Sequence, residues 1–529
     1  MKQKKWFSML VSGILVLSIL LSGCGQKEKD VAGNLGKGEI PKEISIFTNT
    51  QPSITGDMKD FNDVLGFQMF EEATGCHINW QLPPSSGYAE KFNLMIASGN
   101  YTDVIIYEWG TQNTKEFADS GVILPLSDLI EECMPNFNKW MDENPEYAKK
   151  IRNSDDGEIY YIPYIRADER LNIFLGPQIR TDWLEKLNLE IPTNAEELYN
   201  VLKAFKTQDP NGNGKADEIP MSGVSAHHTM GVGALLWMFD TVDDFYVDGK
   251  TVKFGALEPE FKEGLAYIAN LYKEGLIDPD YILQDRTKMD SKMTNNTVGF
   301  MYSYQPTKIS NLMAEKDPTF KLEGIGHFKN KDGVRKNYLP NYAESVRAVG
   351  FAITSKNPDP RGTLKWLDWV YSEEGRMAMS FGREGDTYTM VNGEPKFTDK
   401  VLNNPDGLTS SEAFARYVAT NSSDFPCLQD WRSYSQSLSP YGVAAINTWA
   451  DGVDISGIMP KLILSQEDKV LASDIMSQVN TYVDEMIDKV IIGQESVENW
   501  DKVIETIKNL KVDEAVSIYQ KAYDKYLAN

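Results

Sequence analysis

The chain has 529 residues, 41% apolar and 25% charged, a soluble globular balance in a length beyond one hydrophobic core, so at least two lobes are expected. Its formal charge of −24 becomes −27 once residues 1–23, with Lys2, Lys4 and Lys5, are removed. Such an acidic surface argues against nucleic acid and against an electrostatic grip on anionic lipid, and it favours neutral or cationic ligands.

The N-terminus sets the compartment. Three lysines precede a nearly continuous apolar segment from Trp6 to Leu21, too short for a comfortable bilayer span, and Leu21-Ser22-Gly23-Cys24 places small residues before a cysteine. That is a lipobox pattern: residues 1–23 form a signal peptide, and Cys24 becomes a lipid-carrying first residue. An incidental cysteine behind a membrane-anchored start is the alternative. Residues 24–42 are polar and glycine-containing and read as a flexible tether. No later apolar run reaches 18 residues, so the expected product is extracytoplasmic, held at the cell membrane through its N-terminal lipid.

The folded part begins with a β-rich run, Glu43 to Thr48. A helix follows with Leu65, Met69, Phe70 and Ala73 on one face, stopping at Thr74-Gly75, then a strand from Cys76 to Leu82. A helix around Lys91–Ser98, the stop Gly99-Asn100 and a strand from Asp103 to Ile106 complete a strand–helix alternation that predicts a parallel sheet. Further helices are predicted over 180–187, 195–207, 261–274 and 361–371, and strands over 297–302 and 348–354. Trp183, Trp366 and Trp369 sit on amphipathic helices and read as core. The tail predicts a long helix over 467–492 and two shorter ones over 497–510 and 513–527, with no short-period repeat along the chain.

This order of elements resembles an extracytoplasmic solute-binding protein of an ABC importer. The resemblance is carried by Glu71-Glu72-Ala73-Thr74-Gly75, Met95-Ile96-Ala97-Ser98-Gly99 before Asp103-Val104-Ile105, and Ile159 to Tyr164. It continues through Arg180 to Leu187 with Pro192-Thr193, Asn357-Pro358 leading into Trp366-Leu367-Asp368-Trp369, and Ser372-Glu373-Glu374-Gly375. It is to family 1, in the large lipoprotein branch that includes alginate-oligosaccharide binders. The resemblance implies a two-lobed α/β, type II periplasmic-binding-protein-like fold with a helical C-terminal extension. Residues 43–165 plus about 346–371 would form the N-lobe, and about 166–345 plus 372–529 the C-lobe. It further implies a monomeric, non-catalytic receptor that holds an oligosaccharide between hinged lobes and delivers it to the permease.

Asp209-Pro210-Asn211-Gly212-Asn213-Gly214-Lys215-Ala216-Asp217-Glu218 carries the most specific chemistry. Calcium needs six to eight oxygens, and Asp209, Asn211, Asn213 and the Lys215 carbonyl stand at positions 1, 3, 5 and 7 of a calcium loop, with Gly214 at the turn. Pro220 replaces the bidentate glutamate of an EF-hand, so Asp217 and Glu218 would supply the missing carboxylates. The binders it resembles use this shortened loop for a structural calcium ion; the alternative is an ion-free Asx-turn loop.

A sugar cleft needs aromatic faces beside polar groups, at the carboxyl ends of strands. The candidates by position are Glu108 and Trp109, Tyr164, Trp237, Tyr302, Tyr304, Glu384 and Trp431. The aromatic ones can equally be core. Glu384 with Asp386 is also the pair a surface glycoside hydrolase would require, although Gly-flanked acids more often cap turns or bind hydroxyls. A peptide or charged solute in the same fold is a further alternative. Cys76, Cys133 and Cys427 allow one Cys76–Cys133 bridge or buried free thiols. His77, His227, His228 and His327 form no zinc frame.

Overall fold

The computed structural model describes residues 35–54, 56–153, 156–225, 231–421 and 423–528. The signal segment, Cys24 and His227-His228 lie outside the described residues. Two sheets organise two lobes. The first sheet has the order His77–Gln81, Glu43–Phe47, Val104–Tyr107, Val346–Ile353, Ile162–Ile165. Its first three strands are parallel, as predicted, because Leu65–Thr74 and Tyr88–Ser98 supply the crossover helices such pairing requires. Both helices stop at left-handed glycines, Gly75 (φ 71°) and Gly99 (φ 69°). The central strand is buried on both faces. Val104 and Ile106 join the main core of this lobe, whereas Ile105 joins a smaller aromatic core with Phe92, Trp109 and Tyr160. Trp366 is fully buried, as expected, and both it and Trp369 stack on Phe70.

The second sheet has the order Leu322–Gly324, Leu175–Arg180, Val298–Tyr304, Ile219–Ser222. Only Ile219–Ser222 and Val298–Tyr304 pair in parallel. Leu175–Arg180 and Val298–Tyr304 pair antiparallel, with Leu175 opposite Tyr304. The long helix Gln466–Ile491 packs on Pro259–Lys273, burying Ile475, Val479, Val483 and Ile487 in the core that holds Leu265 and Ile268. Trp500 locks the tail to the second lobe by donating from Nε1 to the Ala256 carbonyl (3.0 Å).

Two predicted boundaries are corrected. The resemblance places residues 372–529 in the second lobe, yet Glu373–Phe381 packs on Leu65–Thr74, and Met379, Ala419, Phe425 and Leu428 enter the core of the first lobe. The reason is apolar complementarity: Phe425 meets Phe67, Phe70 and Trp80 edge-on at 5.3–6.2 Å. Between them, Phe381, Tyr388, Phe397, Val401, Phe414 and Val418 close a small core of their own. The second lobe therefore takes up the chain again only after about residue 429.

The second correction concerns the tether, which was expected to stay flexible to residue 42. Asp359, capping the helix Pro360–Asp368, also accepts hydrogen bonds from the backbone N–H groups of Lys37 (2.9 Å), Gly38 (3.1 Å) and Glu39 (3.3 Å). Lys365 Nζ donates to the Gly38 carbonyl (3.1 Å). A Cβ at Gly362 would stand 1.9 Å from the Glu39 carbonyl oxygen, so that close approach requires glycine. A carboxylate wrapped by successive amides at a helix N-terminus is a strong local anchor. Residues 35–42 are thus part of the first lobe. The three cysteines Cys76, Cys133 and Cys427 are buried free thiols, so the Cys76–Cys133 bridge does not form.

Candidate ligand-binding cleft

The lobes are joined where three segments meet at the end of Ile162–Ile165. Ile165 N–H donates to the Cys427 carbonyl (3.0 Å), Gln429 N–H to the Ile165 carbonyl (2.9 Å), and Arg166 N–H to the Ser345 carbonyl (2.8 Å). The loop after Glu43–Phe47 reaches the same place. Gln51 Nε2 donates to Asp424 Oδ2 (2.6 Å) and to Asn49 Oδ1 (3.0 Å). Burial pushes the Asp424 carboxyl up, against the pull of Arg347 and Arg166. Arg166 Nε and Gln429 Oε1 are buried without a hydrogen-bond partner, a donor and an acceptor left open beside the hinge.

Half-buried aromatic rings stand on the second-lobe side. Tyr304 stacks on Phe174 (5.7 Å between centroids, 15° between planes), and the Arg286 guanidinium lies 4.2 Å above the Tyr304 ring. Trp431 lies 6.0 Å from Tyr434 and carries the Arg170 guanidinium 4.6 Å above its face. Arg170 is held by Asp168 through Nε–Oδ1 (2.8 Å) and Nη2–Oδ2 (2.5 Å). Aromatic faces beside a carboxylate, amides and guanidinium groups are what an oligosaccharide needs for its C–H faces and hydroxyls.

Of the aromatic residues predicted from sequence, Trp431 follows the crossover at Gln429, Tyr304 is half-buried against Phe174, and four others do not offer a face. Trp109 is fully buried: the turn Trp109–Thr111 folds it back under Tyr88–Ser98, where Nε1 donates to the Ile105 carbonyl (3.0 Å) between Phe92 and Phe117. Tyr164 is buried at the hinge, donating to the Thr420 carbonyl (2.6 Å). Trp237 and Tyr302 meet edge-on in the second-lobe core (5.2 Å). Tyr302 Oη bonds His327 Nδ1 (2.9 Å), and burial lowers the pKa of this histidine to about 3, so it is a neutral post within the core.

Glu108 is exposed at the end of Val104–Tyr107. Glu384 opens into a groove with Met69, Glu373, Met377 and Tyr388, separate from the Asp424 group. Its proposed catalytic partner Asp386 is instead ion-paired with Lys400 (2.7 Å). Phe174, Tyr434, Asp424, Arg166, Arg347 and Gln51 were missed. Only Asp424 carried a signal, as the end of the polar loop before Trp431.

In the candidate calcium loop, Asp209 accepts from the N–H groups of Asn213 and Gly214 (3.1 Å each), and Lys215 N–H donates to Asn213 Oδ1 (2.8 Å). Asn211 and Asn213 donate side-chain amides to Asp217 (3.0 Å each), which hold its carboxyl below the usual range. Glu218 Oε1 is buried and unpartnered, and burial, with Asp209 nearby, pushes this carboxyl up. Among the described residues no three His, Cys, Asp or Glu side chains gather as a metal cluster, so asparagine and carbonyl oxygens must complete any site. The oxygen-only donor set and the unpaired buried Glu218 oxygen fit a hard cation.

The family model of bacterial extracellular solute-binding proteins matches residues 49–377. The chain belongs to that family. It is 29% identical to the fructooligosaccharide ABC transporter substrate-binding protein FusA of Streptococcus pneumoniae over 98% of both chains. The structure of FusA with kestose covers 92% of this chain and 100% of its own, at 27% identity and a TM-score of 0.70. FusA is also solved as an EF-hand mutant with fructo-nystose (26% identity, TM-score 0.69, 92% and 100% covered). The alginate-binding protein AlgQ2 without calcium ion is 27% identical, with a TM-score of 0.66 over 91% of this chain and 98% of its own. The two-lobed solute-binding fold expected from sequence is therefore the observed one.

Core and cleft aromatics separate in one experiment. Trp109→Ala should cost about 3–5 kcal/mol of stability, as a large core truncation does. Trp431→Ala should leave the melting temperature nearly unchanged and weaken oligosaccharide binding by about 1–3 kcal/mol. Calorimetry and thermal melting of both variants check this, and the opposite pattern would place Trp431 in the core.

Proposed function

We propose that this protein is a lipid-anchored extracytoplasmic receptor that captures an oligosaccharide between its lobes and hands it to an ABC permease. The carrying observation is the set of half-buried aromatic faces, Trp431 with Tyr434 and Tyr304 with Phe174, with Arg170 over Trp431 and Arg286 over Tyr304, in a chain whose crossovers also carry the Gln51–Asp424 pair. The likeness to FusA, whose structures hold kestose and fructo-nystose, supports a carbohydrate. The lobes approach closely enough for Lys469, on the C-terminal helix, to donate to the Thr111 carbonyl of the first lobe (3.4 Å). Hinged closure on a ligand needs such inter-lobe contacts.

Calcium is proposed as a structural ion. Asp209, Asn211, Asn213, Asp217, Glu218 and the Lys215 carbonyl would hold it, and its charge would offset the crowding of carboxylates in the loop. The EF-hand mutant of FusA supports this reading. The loop precedes Ile219–Ser222, so an ion there would stiffen the entry to a strand of the second sheet.

A melting series on the protein tests both proposals. An oligosaccharide at 100 times its Kd should add about 2.7 kcal/mol to stability. EDTA should lower the melting temperature, calcium should restore it, and Asp209→Ala should abolish the difference. A panel of oligosaccharides that leaves the transition unmoved would contradict the first proposal, and indifference to EDTA the second. The anchor rests on Leu21-Ser22-Gly23-Cys24. Cells given a clickable palmitate analogue should label the wild type and not Cys24→Ala, and an unlabelled wild type would contradict it.

A further inference from the structure

The half-buried aromatic rings of the second lobe are not bare. Phe174, Tyr304, Trp431 and Tyr434 all pack along the second-lobe core, which takes up part of each ring. Guanidinium groups take up more. Arg170 stands 4.6 Å from the centroid of Trp431, which also has Tyr434 at 6.0 Å. Arg286 stands 4.2 Å from the centroid of Tyr304, whose ring also carries the stacked Phe174 at 5.7 Å. Stacked partners of an aromatic ring stand about 4.5–7 Å from its centroid. A sugar and a guanidinium therefore compete for the same face, and one must leave before the other can stack.

Each arginine has somewhere to go. Asp168, two residues before Arg170, holds its head through Nε–Oδ1 (2.8 Å) and Nη2–Oδ2 (2.5 Å), and both side chains are partly exposed. Arg170 can thus shift off Trp431 without leaving its charge alone. Arg286 Nε is buried without a hydrogen-bond partner and lies 3.7 Å from Asp290 Oδ2, one helical turn on and outside hydrogen-bond reach. A shift toward Asp290 would close that pair and satisfy the open donor. A partly exposed cation–π contact is worth only about 2- to 5-fold in an equilibrium, so a bound sugar can displace it.

We infer that Arg170 and Arg286 are displaceable covers: in the free protein each guanidinium occupies an aromatic face on which a sugar stacks, and the bound sugar pushes it aside. The inference rests on the carbohydrate reading above and adds two residues that set its affinity. Titration calorimetry of the full chain with kestose, nystose, maltotriose and trigalacturonate tests it. The tightest-binding sugar is then taken through Arg170→Ala, Arg286→Ala, Trp431→Ala and the Arg170→Ala/Trp431→Ala double variant, with melting temperatures to show that each folds. Arg170→Ala and Arg286→Ala should each tighten binding about 2- to 5-fold, the strength of the contact removed. In the Trp431→Ala background, Arg170→Ala should leave the affinity unchanged, because the face it covered is gone. Arg286→Ala gives the same reading from a separate ring where Arg170→Ala does not fold. Weaker or unchanged binding in the folded arginine variants would overturn the inference while leaving the carbohydrate reading intact. A wild type that binds none of the four sugars would overturn both.

Discussion

The structure depends on one small hydrogen-bonded junction. Ile165 and Arg166 end a strand of the first sheet and there receive the two other segments that pass between the lobes, through bonds to Ser345, Cys427 and Gln429. Backbone groups at such a site cannot be left open to a low-dielectric interior without cost, so the three segments stay registered to one another. Polar groups that need partners and aromatic rings that need cover are thereby brought to one place. The cleft chemistry follows from the hinge.

The parts of the fold legible in the sequence are those with long periodic signals. The helices at Ala195–Thr207 and Gln466–Ile491 and the strand–helix alternation up to Tyr107 carry apolar spacing, caps and glycine stops that tertiary contacts only reinforce. The second sheet was less legible because strand direction is set by where the chain enters and leaves a lobe, which residue spacing does not encode. The return of residues 373–428 to the first lobe depends on Phe425 finding Phe67, Phe70 and Trp80 across more than 340 residues of chain. No local pattern announces that.

An aromatic after a strand end can turn outward or fold back, and the sequence is the same in both cases. Tyr304 ends its strand against Phe174 and stays half-buried, whereas Trp109 turns under a helix and disappears. The polar floor was hidden for another reason: Gln51, Asp424, Arg166 and Arg347 come from four segments that only the crossovers bring together. The clamp at Asp359 was hidden likewise, since a polar, glycine-containing stretch looks free until a capped helix end collects its amides.

The central claim is that ligand is held at the junction by both lobes at once. Hydrogen exchange followed by mass spectrometry, with and without a saturating oligosaccharide, tests it most directly. The account predicts simultaneous protection of 48–51 on the first lobe and of 166–174 and 423–436 at the crossovers. Protection confined to one lobe, or to the groove around Glu384, would contradict it.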